Sequence, residues 1–107
     1  CLFEYNEASF EKVISNLLSN ALRYANTQII LRCTNQNDRI LIEIEDDGEG
    51  ILEKDLPHIF ERFYKDKSGH YGIGLSIVQS IISSYNGHIE VISVKGKTCF
   101  TIVLYPA

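Results

Sequence analysis

A chain of 107 residues has room for one hydrophobic core and none for a second domain. With 45% apolar and 22% charged residues, it has the make-up of a folded globular domain, not of a disordered tail. A net charge of −4 argues against nucleic acid as a partner, since non-specific binding relies on excess Lys and Arg, and no apolar run approaches membrane-spanning length.

In chain order, Leu2 to Tyr5 reads as a short strand and Asn6 as the cap of the helix that follows. The chain begins at Cys1 without Met or a secretory pattern, so it is expected to be a piece of a longer protein. Phe10, Val13, Ile14, Leu17, Leu18, Ala21 and Leu22 fall at helical spacing, predicting an amphipathic helix from about Ala8 to Tyr24. Residues 27–35 and 39–46 read as a β-hairpin around Gln36-Asn37-Asp38. Lys54 to Phe60 suggests a short helix with Pro57 near its start, and Lys65 to Tyr71 a polar, glycine-containing loop. Ile77, Val78, Ile81, Ile82 and Tyr85 define a second long helix, ended by Asn86-Gly87. His88 to Val94 and Thr98 to Tyr105 form a last hairpin across Lys95-Gly96-Lys97, with Phe100, Ile102 and Leu104 pointing inward. Helices in one layer and hairpin strands in another predict a two-layer α/β sandwich with a mixed, mostly antiparallel sheet. Cys1, Cys33 and Cys99 are widely spaced and form no Cys-x-x-Cys pair, so buried free thiols are expected instead of disulfides or zinc ligands.

Three stretches carry chemistry. In the strand Ile40 to Glu45, residues two apart share a face, so the apolar row Ile40, Ile42, Ile44 continues into Asp46. A carboxylate at the end of a core-facing row is costly unless something satisfies it, either a capping group or water, or a ligand with a hydrogen-bond donor. Gly48 and Gly50 follow at once and let backbone approach closely. On the first helix Asn16 and Asn20, four apart, share a face flanked by Arg23 and Tyr24. Asn is a poor helix-interior residue; the pair is either a plain polar face or a source of hard-cation ligands for Mg²⁺ beside phosphate. The run Ser68 to Leu75 opens into the second helix with Gly72 and Gly74, which is either a surface loop or an anion site at a helix N-terminus.

Two other patterns fail on inspection. Gly96-Lys97-Thr98 would end a P-loop only with glycine where Val91 stands, and Gly48-x-Gly50 lacks the third glycine of a dinucleotide fingerprint, replaced by Glu53. His58, His70 and His88 have no partner at zinc spacing.

Taken together, the stretches resemble the catalytic, ATP-binding domain of bacterial sensor histidine kinases, in the gyrase, chaperone and histidine-kinase ATPase superfamily. Asn16 to Tyr24 looks like that family's N box, Asp46 to Ile51 its first glycine box, Ile59 to Lys65 its F box, and Gly72 to Val78 its second glycine box. Gly87 to Val91 and Thr98 to Ile102 follow its closing hairpin, and the likeness runs from about Asn6 to Pro106 in order and spacing.

The resemblance implies a Bergerat-type fold that binds ATP with Mg²⁺. Asp46 would accept a hydrogen bond from the adenine amino group, and Gly48 and Gly50 would turn the chain under the base. Ile51, Ile73 and Leu75 would line the pocket. Asn20 would hold Mg²⁺, with Asn16 one turn away, Arg23 and Lys65 near the phosphates, and Tyr24 against the nucleoside. Residues 65–71 would form the mobile lid, and Gly72 and Gly74 would approach the phosphates. Phe60 and Phe63 would offer contacts to a partner helix. Thr98 is discounted as a ligand because Lys97 separates it from Gly96, and His70 replaces a glycine usual before the second box.

No histidine here sits in a phosphoacceptor pattern, so the implied reaction is ATP-dependent transfer of the γ-phosphoryl group to a histidine on an upstream dimerisation domain, with a response regulator downstream. The isolated domain would be a monomer inactive without that partner. The parent would be a homodimer anchored in the bacterial inner membrane, with this domain in the cytoplasm. Hydrolases of the superfamily carry a glutamate base where Asn16 stands, and an amide has no useful basicity. A non-catalytic nucleotide-binding module and a serine kinase of the anti-sigma type remain as alternatives.

Overall fold

Val13, Leu17 and Ala21 recur every four residues and are each at most 2% exposed; they seat the helix Glu7–Tyr24 (α1) on the core. The structure, a computed structural model, describes residues 7–62 and 74–105, with Tyr24 by its backbone alone. The expected strand at Leu2 to Tyr5, its cap Asn6, and the 65–71 loop lie outside these residues. So do Cys1, Phe63, Lys65, Gly72, Ile73 and the Tyr24 side chain.

After α1 come the strands Ile29–Gln36 (β1) and Arg39–Asp46 (β2), a 3₁₀ turn at Leu56–His58, the helix Gly74–Ser84 (α2), and the strands His88–Val94 (β3) and Lys97–Leu104 (β4). The strands form one sheet in the order β1-β2-β4-β3. All three pairings among the described residues are antiparallel, in keeping with the mostly antiparallel sheet expected. Both helices pack on one face, α1 against β2 and α2, and α2 against β3. This is the two-layer α/β sandwich.

Register sets the core. Ile42 lies opposite Ile102, Ile44 opposite Phe100 and Ile40 opposite Leu104. These meet Val13 and Leu17 from α1 and Leu75, Val78 and Ile82 from α2. Ile59, completely buried, brings the segment after the 3₁₀ turn onto the same core. Phe60, half-buried, stacks edge-on against Phe100 with ring centres 6.2 Å apart and packs on the same core. The expected short helix over Lys54 to Phe60 shrinks to the single 3₁₀ turn. α2 ends as the Asn86-Gly87 signal predicts: Asn86 takes a left-handed φ of 61° and the Gly87 N–H returns to the Ile82 carbonyl at 3.0 Å.

Two expectations about burial are corrected. Helical spacing puts Leu22 in the apolar stripe of the first helix, yet it is 71% exposed. It lines an open groove of about 890 Å³ along α1 with Phe10, Ile14 and Leu18. Cys33, expected to be buried in a strand, is exposed; Cys99 alone of the two described thiols is buried. The cause is shared: the helix layer covers the middle of the sheet, and β1 is an edge strand.

Candidate functional site

The inward rows of three strands all end in a polar residue at the same end of the sheet. Asp46 on β2 lies opposite Thr98 on β4, and Thr98 opposite Ser93 on β3. Asp46 and Thr98 are each 4% exposed. Ser93 Oγ and Thr98 Oγ1 are 2.7 Å apart, and the Ile51 N–H donates to Ser93 Oγ at 2.7 Å. The same alternation that singles out Asp46 marks Thr98 before Phe100 and Ser93 after Val91. Thr98, discounted as a ligand on its spacing from Gly96, and Ser93, which no motif marks, both stand in the row with Asp46.

Asp46 accepts a hydrogen bond from the Gly48 N–H at 2.9 Å, the tight turn that the first glycine box supplies. Burial pushes its pKa above the ordinary carboxylate value, partly offset by that N–H. A carboxylate so placed is energetically strained as an anion, and a donor brought to it recovers part of the lost solvation.

Gly50 does what its position promises, but against the protein itself. Its φ is +90°, and a Cβ there would lie 2.6 Å from the Val94 carbonyl oxygen and 3.1 Å from Ser93 Oγ. The first glycine box is therefore laid directly on the β3–β4 hairpin. Ile51, half-buried, packs on the core beside it.

On α1, Asn20 is 8% exposed, one turn before the helix ends at Tyr24, while Arg23 projects from the exposed last turn. Asn16 is half-buried, and its Nδ2 donates to the Lys12 carbonyl at 2.8 Å. That bond leaves its Oδ1 aimed at the start of α2, 3.1 Å from where a Cβ on Gly74 would stand. The N box and the second glycine box thus meet through Asn16 and Gly74, where a Cβ would press on the Asn16 amide oxygen. Leu75, next along, is buried in the core. Lys65, Gly72, Ile73 and the Tyr24 ring belong to the site by expectation and lie outside the described residues.

The neighbouring Asp47 is the largest surprise. Its carboxylate accepts hydrogen bonds from the backbone N–H groups of Asn26, Thr27 and Gln28 and from the Thr27 hydroxyl. Those donors, the Thr27 hydroxyl first, hold its pKa well below the ordinary value. Adjacent carboxylates are thus driven in opposite directions, one by burial and one by hydrogen bonds.

The described residues include no cluster of three or more His, Cys, Asp or Glu that could cage a metal ion. Amide oxygens such as that of Asn20 are the available donors, and they suit a hard cation that draws its other ligands from phosphate and water.

The site is thus a buried carboxylate at the end of the sheet with Asn16 and Asn20 on the helix packed against β2. The chain belongs to the family described as histidine kinase-, DNA gyrase B-, and HSP90-like ATPase, whose model matches residues 5–107. It is 42% identical over 107 residues to the heme sensor protein HssS of Staphylococcus epidermidis, an alignment that covers 96% of this chain and 23% of that protein. It is 38% identical over 105 residues to the sensor histidine kinase YclK of Bacillus subtilis, covering 91% of this chain and 22% of the relative. The chain therefore spans less than a quarter of the length of these relatives. Among solved structures, the mycobacterial sensor histidine kinase MprB superposes with a TM-score of 0.85 at 23% identity, covering 96% of this chain and 76% of that one, which shows the shared fold.

Proposed function

We propose that this domain binds Mg-ATP and passes the γ-phosphoryl group to a histidine on a helical dimerisation domain of the same parent protein, from which a response regulator receives it. The observation that carries the reading is Asp46, buried to 4% exposure at the end of an otherwise apolar row. An exocyclic amino group on adenine is the kind of donor such a carboxylate requires. The parent is then a homodimer held at the bacterial inner membrane with this domain in the cytoplasm; among the described residues no helix is long and apolar enough to cross a membrane.

The competing hydrolase reading needs a general base one turn before Asn20. Asn16 stands there, its amide nitrogen tied to the Lys12 carbonyl, and it offers no basicity to activate water. Phosphoryl transfer to a nucleophile supplied by a partner asks mainly for positioning and charge stabilisation, which this site can provide. The domain incubated with γ-labelled ATP should stay unlabelled and release little phosphate. Adding the helical domain that precedes it in the parent should give label on that domain's histidine. Label on this chain alone, or rapid phosphate release, defeats the kinase reading. Nucleotide binding with no transfer to the folded partner favours the non-catalytic module instead.

The metal assignment has its own test. Asn20→Ala should weaken Mg-ADP by about ten-fold or more, the order expected when a hydrogen-bonding or ligating group to a charged centre is lost. ADP measured in EDTA should be nearly unchanged. Equal losses with and without Mg²⁺ would show that Asn20 is not a ligand.

A further inference from the structure

The carboxylate of Asp47 gathers a whole loop. Oδ1 accepts the N–H groups of Asn26, Thr27 and Gln28 at 2.9, 3.0 and 3.1 Å, and Oδ2 accepts the Thr27 hydroxyl and, at 3.2 Å, the Thr27 N–H. The traffic runs both ways: Asn26 Nδ2 donates to the Asp47 carbonyl at 3.2 Å, and the Asp47 N–H to the Gln28 carbonyl at 3.3 Å. These three residues belong to the link between the end of α1 at Tyr24 and the start of β1, where Ile29 lies opposite Asp46. The side chain next to the base-recognition carboxylate is therefore a clasp on the helix that carries Asn20.

We propose that Asp47 is a positioning residue that locks the exit of α1 onto the end of β2 and so sets the distance between Asn20 and Asp46. The inference rests on the ATP reading, in which those two groups hold the two ends of one ligand. A ligand that touches one end does not sense that distance. A ligand that spans both does, because binding the second end is an intramolecular step whose strength depends on the spacing being correct. The same hydrogen bonds, the Thr27 hydroxyl first, hold the Asp47 pKa below the ordinary carboxylate value and so favour the charged form that the clasp uses.

The test pairs two probes: Mg-ADP, which spans both ends, and adenosine, which meets the base end alone. Asp47→Ala should weaken Mg-ADP about ten-fold or more while adenosine, followed by saturation-transfer NMR, changes less than about two-fold. Asp47→Asn keeps Oδ1 for the three backbone donors and presents Nδ2 to the Thr27 hydroxyl oxygen, losing only the longer second contact to the Thr27 N–H, so it should restore Mg-ADP binding to within about three-fold of the parent chain. A mutation that merely loosened the fold would weaken both probes alike or neither, and either pattern overturns the proposal, as does failure of Asp47→Asn to rescue. Should Asp47→Ala not fold, Thr27→Val removes the hydroxyl bond alone; a loss of about two- to four-fold for Mg-ADP but none for adenosine supports the clasp, and unchanged Mg-ADP binding refutes it. If the parent chain binds neither probe, the ATP reading falls and the clasp with it. If the parent binds both and the variants fail to separate them, only the role of Asp47 is lost.

Discussion

Asp46→Ala should remove the domain's preference for adenine. The parent chain should bind ATP more tightly than GTP, because guanine presents a carbonyl where adenine has its amino group and Asp46 would then face an acceptor with an acceptor. A charge-assisted hydrogen bond contributes about 1.5–3 kcal/mol, roughly ten- to a hundred-fold in affinity. In the variant, ATP and GTP should bind equally weakly by titration calorimetry. The parent's ATP affinity should also decline on acidification sooner than an ordinary surface carboxylate would dictate. Burial raises the Asp46 pKa, and the protonated form offers the adenine amino group a poorer acceptor. Equal ATP and GTP binding by the parent chain would sink the assignment.

The same shift has an opposite consequence for folding. A carboxylate whose folded pKa is raised stabilises the fold fully below its unfolded pKa and loses that contribution as pH climbs through the folded value. Asp46 as an anion therefore opposes folding in the ligand-free domain. Asp47, with its depressed pKa, does the reverse: its contribution is present above the unfolded carboxylate pKa and is lost as pH falls through the folded value.

Gly50→Ala should be among the most destabilising single substitutions in the domain. A non-glycine residue at φ +90° costs about 1–3 kcal/mol in backbone strain alone. The new Cβ would also meet the Val94 carbonyl oxygen at 2.6 Å, and backbone in a sheet cannot swing aside as a side-chain tip can. Relief requires the loop to lift, which breaks the bond from Ile51 N–H to Ser93 Oγ and moves the turn that holds Asp46. Gly96→Ala is the internal control: φ there is +88°, yet a Cβ would meet nothing within 4 Å. Thermal melts should show Gly96→Ala lowering Tm by the strain contribution, roughly 4–8 °C per kcal/mol in a domain of this size, and Gly50→Ala lowering it clearly further. Coincident melting points would mean that the close approach to Val94 carries no weight.

What the sequence determined by itself is whatever repeats over a few residues. The alternation Ile40, Ile42, Ile44 carries its face directly into Asp46, which is why a buried carboxylate is legible in the residue order alone. Helical spacing located α1 and α2, the Asn86-Gly87 pair marked the end of α2, and the polar run Gln36-Asn37-Asp38 between two strand patterns marked the first hairpin turn. Four family-like boxes in order identified the kind of domain because their spacing follows the chain.

Tertiary structure decided everything that depends on which distant segments meet. Leu22 and Cys33 obey the local period yet stay exposed, since a period says which residues share a face and not how far the opposite layer extends. Thr98 and Ser93 join Asp46 only through the register of strands that are far apart in sequence. Asp47 looks like a bystander beside Asp46 in the sequence, because its partners at Asn26 to Gln28 are brought to it by the pairing of β1 with β2. Gly50 was readable as a place of close approach, but the Val94 carbonyl it approaches, and the Asn16 side chain that Gly74 accommodates, were not. Local sequence encodes conformation and amphipathic direction through short-range sterics and periodicity. Site geometry is set by non-local packing and pairing, which no short stretch of the chain contains.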